Sequence, residues 1–166
     1  MRDPAAAAVI RRQRNAARVG LISDTHGLLR PEALRFLRGA AHIVHAGDIG
    51  KPEILDELRV LAPLTAVRGN NDRGRWASRV RSHAVLKVGR VSIYVLHNLA
   101  ELDVDPAGKY DVVVSGHSHK PVLQERDGVL YVNPGSAGPR RFTLPIALGE
   151  LEICGASVRA RIRELG

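Results

Sequence analysis

Aromatic residues make up only 4% of this 166-residue chain, and cysteine occurs once. With so few rings, the core has to be built from Val, Leu, Ile and Ala. A single cysteine, Cys154, excludes an intramolecular disulfide and a thiolate zinc site. It reads as a buried apolar filler on a late strand. A chain so poor in cysteine does not look secreted, so a cytoplasmic location is expected. No apolar run approaches the roughly 18 residues that cross a bilayer, which excludes a membrane-spanning role. Repeats, linkers and low-complexity segments are also missing.

Acidic side chains are the scarcer charge: 17 Asp and Glu stand against 25 Lys and Arg, a net charge of +8. Much of the excess sits in the first 18 residues, where Arg2, Arg11, Arg12, Arg14 and Arg18 interleave with alanines. Residues 1–17 are therefore expected to be a basic, poorly ordered extension, with one domain over 18–166. A nucleic-acid-binding arm is the less favoured reading of the same residues. A signal peptide does not fit, because the short Ala-Val-Ile stretch precedes the basic cluster instead of following it.

Along the domain, apolar runs alternate with glycine-marked turns. Residues 19–23, 42–46 and 64–67 read as short buried strands. Helices are expected between them, one from Pro31 to about Arg38 and one from Lys51 to Leu61. That alternation argues for parallel pairing. After Trp76 the pattern changes to hairpins: 83–87 with 91–96, 122–125 with 130–133 around Asp127-Gly128, and 148–153 with 158–162. Residues 111–115 form another buried strand, and 101–110 a loop or short helix. The expected fold is α/β, two mixed sheets packed together with helices outside.

What this chain does have is a series of polar residues where apolar runs end. Asp24 and His26 stand in SDTHG, Asp48 in HAGDIG, Asn70 in RGNND, His97 in VLHN, and His117 and His119 in SGHSHKP. In extended chain, residues two apart project to one face, so D-x-H and H-x-H can each offer two ligands to one point. In open α/β sheets, ligands bind beyond the carboxyl ends of strands. D-x-H or G-D alone is an ordinary turn feature, but the full ordered set is not. Carboxylate, imidazole and amide without thiolate suit Mn, Fe, Zn, Ni or Co, with manganese foremost. A single Asp shared by two cations would set them about 3.5–4 Å apart, the spacing of two-metal phosphoester chemistry.

With these motifs, and with the intervening IVHAGDI, VRGNND and VNPGS, the chain resembles the calcineurin-like metallophosphoesterases from about Arg18 to Leu165. The likeness is to the small cap-less branch of YfcE-type phosphodiesterases, whose fold the retromer subunit shares. It implies a four-layer α/β/β/α sandwich and a dinuclear site. Asp24, His26, Asp48 and His119 would hold one ion. Asp48, Asn70, His97 and His117 would hold the other, with Asp48 bridging. Asp48, Asn70 and His97 are the residues counted as catalytic. The implied activity is hydrolysis of a small phosphodiester by in-line attack of a metal-bridging hydroxide.

Two positions depart from the family pattern. Asn71 stands where many relatives carry a histidine that serves the leaving group, which favours diesters over monoesters. Asn98 replaces the glycine that usually follows the fourth-block histidine, and asparagine tolerates a left-handed backbone. His45 reads as a supporting or core histidine, and His42 and His83 as ordinary strand residues. Arg68, Arg73, Arg75, Arg140 and Arg141 are candidates for substrate phosphate. The alternative function is a non-catalytic, metal-binding interaction module of the same fold, and dimerisation is left open.

Overall fold

The computed structural model describes residues 16–165. The expected extension thus lies outside the described residues up to position 15. Ala17 and Arg18 already belong to the first strand, where Arg18 Nε pairs with Glu150 at 3.0 Å and its guanidinium reaches the Phe36 carbonyl.

Three parallel strands open the fold: β1 (Ala17–Ile22), β2 (His42–His45) and β3 (Leu64–Ala66). Between them run α1 (Pro31–Leu37) and α2 (Pro52–Leu61). Each helix begins on a proline at its first turn, where the missing N–H costs nothing. In α2 the buried residues are Ile54, Leu55 and Leu58, the stripe expected of an amphipathic helix. In α1 Ala33 and Leu37 are buried, while Leu34 and Phe36 are only half-buried. A one-turn helix, α3 (Arg75–Ser78), has no counterpart in the expected elements; four residues carry too little periodicity to read.

The hairpins form as expected. β4 (His83–Val88) pairs antiparallel with β5 (Val91–Leu96), β7 (Val122–Arg126) with β8 (Val129–Asn133), and β9 (Ala147–Cys154) with β10 (Ser157–Glu164). With β6 (Val112–Val114) they complete two five-stranded mixed sheets, ordered β10-β9-β1-β2-β3 and β4-β5-β6-β8-β7. The long-range joins are β1 to β9, antiparallel, and β6 to β8, parallel.

Strand alternation divides the apolar residues between layers. Val19 and Leu21 pack between the sheets with Val44, Ile93, Val114, Val132 and Leu151. Ile22 and Ile43, on the other face, pack under the helices against Leu37, Ile54 and Leu58. The outer face of the second sheet is covered thinly. A 3-10 turn over Leu99–Glu101 and the following loop lay Leu102, Val104 and Tyr110 over Tyr94 and Val113. The result is a two-sheet sandwich, with helices outside the first sheet and a loop-built layer outside the second.

Cys154 differs from expectation. It is the last residue of β9, beside the Gly155 turn, and is half-buried instead of buried, because strand ends extend past the packed layer. No helix among the described residues is long and apolar enough to cross a membrane.

Candidate metal centre

All seven polar residues singled out in the sequence converge at one rim. Asp24 and His26 follow β1, Asp48 follows β2 and Asn70 follows β3; His97 follows β5, and His117 and His119 follow β6. The first sheet thus delivers both carboxylates and the amide, and the second delivers three of the four imidazoles.

Five of the seven carry positive φ: Asp24 (54°), His26 (46°), Asp48 (54°), His117 (71°) and His119 (63°). Non-glycine residues take up this left-handed region seldom, at a cost of about 1–3 kcal/mol each. The strain is held by close backbone approach. A Cβ on Gly69 would overlap Asp48 Oδ1, and one on Gly116 would overlap Ser23 Oγ. Only glycine lets these loops touch.

Two groups of ligand atoms result. In one, His119 Nε2 lies 3.3 Å from both Asp24 Oδ1 and His26 Nε2, and His26 Nε2 is 3.8 Å from Asp24 Oδ1. In the other, Asn70 Oδ1 is 3.0 Å from His97 Nε2 and 3.1 Å from His117 Nδ1. Asp48 Oδ2 lies between the groups, 3.3 Å from His97 Nε2 and 3.7 Å from His26 Nε2. Asp24 also faces both, since its Oδ1 is 3.9 Å from His97 Nε2.

The protein's own groups do not satisfy this arrangement. His97 Nδ1 donates to the Ala46 carbonyl at 2.7 Å, which aims Nε2 at the oxygens of Asp48 and Asn70. Burial works against a charge on His97, but the Asp48 hydrogen bond and the Asp24 charge outweigh it and raise its pKa. Burial likewise pushes Asp48 up, yet hydrogen bonds from His97 and the Asn71 backbone prevail and hold it below the usual carboxylate range. For His26 burial dominates and lowers the pKa, so its ring is held neutral beside the equally close Nε2 of His119. Among the described residues, Asp24 Oδ1 is buried with no hydrogen-bond partner. A buried carboxylate oxygen without a partner, with imidazole nitrogens 3.3–3.9 Å away, fits a shared cation. Either Asp24–His26–His119 or Asp24–Asp48–His97 can gather on one ion.

Further residues hold the ligands in place. Asp72 accepts from Gly69 N at 2.8 Å and Gly50 N at 2.9 Å, tying the loop after β3 to the loop after β2. Asn133 donates to Gly116 O at 2.9 Å and Ser118 Oγ at 3.1 Å, fixing the loop after β6. Ser23 Oγ donates to Asp24 Oδ2 at 2.6 Å, and Ser136 Oγ to Asp24 O at 3.0 Å. Sequence reasoning gives these residues no role, although RGNND and VNPGS stand out as blocks. A polar residue beside a glycine reads simply as a turn.

His45 has the supporting place expected of it. Its Nδ1 accepts from Gly47 N at 3.1 Å, so Nε2–H donates to Thr25 Oγ1 at 2.9 Å, and Thr25 in turn donates to Ile49 O. Complete burial lowers its pKa to about 4. Asn71 donates to Asp48 through its backbone N at 2.9 Å and its Nδ2 at 3.0 Å. His42 bonds Thr65 and His83 stacks on Tyr94. Arg73, Arg75, Arg140 and Arg141 are exposed and Arg68 is half-buried; Arg141 lies near enough to His26 for its charge to oppose protonation there.

Residues 18–155 match the calcineurin-like phosphoesterase superfamily domain. The chain is 34% identical over 165 residues to a probable metallophosphoesterase of Methanothermobacter thermautotrophicus, covering 89% of this chain and 92% of that protein. Among solved structures, a novel archaeal phosphodiesterase superposes with a TM-score of 0.73 at 26% identity, over 88% of this chain and 99% of the other. Vps29 of Chaetomium thermophilum has the same fold, with a TM-score of 0.73 at 20% identity over 90% and 97%. The chain belongs to the calcineurin-like phosphoesterase superfamily.

Proposed function

We propose that this protein is a metal-dependent phosphodiesterase acting on small phosphodiesters. The observation that carries the reading is the buried, donorless Asp24 Oδ1 amid imidazole nitrogens at 3.3–3.9 Å. Asp24, His26, Asp48 and His119 would hold one divalent transition-metal ion, and Asp48, Asn70, His97 and His117 a second. Manganese suits the nitrogen-rich, thiolate-free set, as do Fe, Zn, Ni and Co. Bound there, the ions would supply an activated water and take up charge on the phosphoryl oxygens.

The remaining work falls to the chain. Asp48 stands between the two groups, and Asn71 holds it there with two hydrogen bonds. An amide so engaged is no proton donor for a departing alkoxide, so esters with better leaving groups are favoured. The likeness to an archaeal phosphodiesterase supports the same preference. The alternative of an interaction module draws on a fold shared with Vps29, while the seven candidate ligand residues converge at one rim.

The test is hydrolysis of bis(4-nitrophenyl) phosphate by protein loaded with Mn²⁺. Turnover that EDTA removes, and that exceeds turnover of 4-nitrophenyl phosphate, is the expected result. No turnover with Mn, Fe, Zn, Ni or Co would sink the proposal.

A further inference from the structure

We infer that the cleft on the far side of His117 receives an apolar or aromatic ester group of the substrate. The inference rests on the phosphodiesterase reading and adds to it a substrate class, phosphoesters bearing an aryl or other compact, uncharged apolar group.

One wall of the cleft is the segment Gly116–Ser118, the same segment that carries His117 to within 3.1 Å of Asn70 Oδ1. The cleft and the ligand cluster therefore share a side chain. A phosphoester seated against the cluster could turn one substituent past the exposed His117 toward this opening. Facing that wall are Leu99, Val122 and Tyr131, with the buried Val132 beside them. Leu99 and Val122 remain 37% and 39% exposed, apolar surface left open at the edge of a polar site. The cavity volume is about 170 Å³. That is close to the roughly 150 Å³ of an apolar cavity able to bind benzene.

Its chemistry is selective. Among the described residues, no carboxylate, lysine or arginine lines it, so a second phosphate or an acidic sugar would find no counter-charge from them. Its shape is also fixed in advance. Asn133 pins Gly116 and Ser118 on one wall, and Asn98 Oδ1 accepts from Ala100 N beside Leu99 on the other. A preformed apolar cleft captures a ring with little ordering cost.

The experiment compares two non-hydrolysable probes, phenylphosphonate and methylphosphonate, binding to the Mn²⁺-loaded protein and, with diamagnetic Zn²⁺ substituted, to methyl-labelled protein by NMR. Phenylphosphonate is expected to bind about ten-fold tighter, the order given by burying part of a ring. The Leu99 and Val122 methyl signals should shift with it and not with methylphosphonate. Val122→Asp should abolish the preference while leaving the methylphosphonate Kd unchanged. Leu99→Ala, which adds no charge and sits in an exposed turn, should reduce the preference in the same direction. Equal affinity for the two probes, or methyl signals that stay still with phenylphosphonate, would overturn the inference. Failure of both probes to bind would overturn the phosphodiesterase reading itself and the inference with it.

Discussion

The two sheets bring different chemistry to the same rim. The first contributes Asp24, Asp48 and Asn70 with one imidazole, and its loops are braced to each other through Asp72 and the His45–Thr25 chain. The second contributes His97, His117 and His119, and its main loop is braced through Asn133. Both carboxylates thus come from the parallel βαβ half and three of the four imidazoles from the hairpin half. Neither half holds a complete site, and the valine-rich layer between them sets their separation. A cation at the seam would be bound by charge from one side and by nitrogen lone pairs from the other.

The largest expected effect comes from removing the residue at the seam. Asp48→Ala should lower kcat/KM for bis(4-nitrophenyl) phosphate by about a thousand-fold or more. It should also leave fewer than two ions per chain in elemental analysis. Retained activity would show that Asp24, which also faces both groups, is a sufficient bridge.

Next in size is a pH effect confined to the first sheet. His45 is buried neutral with its pKa lowered to about 4, against an ordinary 6.5. The unfolded chain takes up this proton below pH 6.5 and the folded chain only below about 4. The stabilisation is therefore complete above pH 6.5 and is lost as pH falls through that window, by an amount on the order of 3 kcal/mol. Urea unfolding in EDTA at pH 4.5 and 7 should show the loss, and His45→Gln should flatten the difference. An unchanged slope in the variant would remove His45 from the account.

The braces themselves should behave unequally. Asp72→Ala frees two loops of the carboxylate-bearing sheet, so metal affinity should fall by about 10–100-fold. Stability should drop by on the order of 2 kcal/mol, as two backbone N–H groups lose a charged acceptor. Asn133→Ala loosens only the loop of His117 and His119, and isothermal titration should show a smaller loss, about ten-fold. If Asn133→Ala proves the worse of the two, the carboxylate side is not the dominant anchor.

Much of this is readable in the chain. Each ligand sits at the end of an apolar run, and short strands closed by glycine-marked turns are enough to locate the rim. The three hairpins are equally legible from period-two patterns around Gly89, Asp127-Gly128 and Gly155. What is not legible has one cause. Asp72, Asn133 and Ser136 act on partners that no local pattern reveals, with Ser136 reaching Asp24 across 112 residues, and nothing nearby distinguishes them from turn residues. The left-handed backbone at five of the candidate ligand residues is only weakly signalled, since Asp and His are enriched in that region yet adopt it in a minority of positions.

By itself, then, the sequence determined the strands, the hairpins and the positions of the seven candidate ligand residues, because hydrophobic period and turn chemistry are local properties. The tertiary structure decided which loops touch, how Asp24 Oδ1 comes to be buried without a donor, and that a ring-sized apolar cleft opens beside His117. Those depend on two sheets meeting face to face, and the contacts that set that meeting are made between residues distant in the chain.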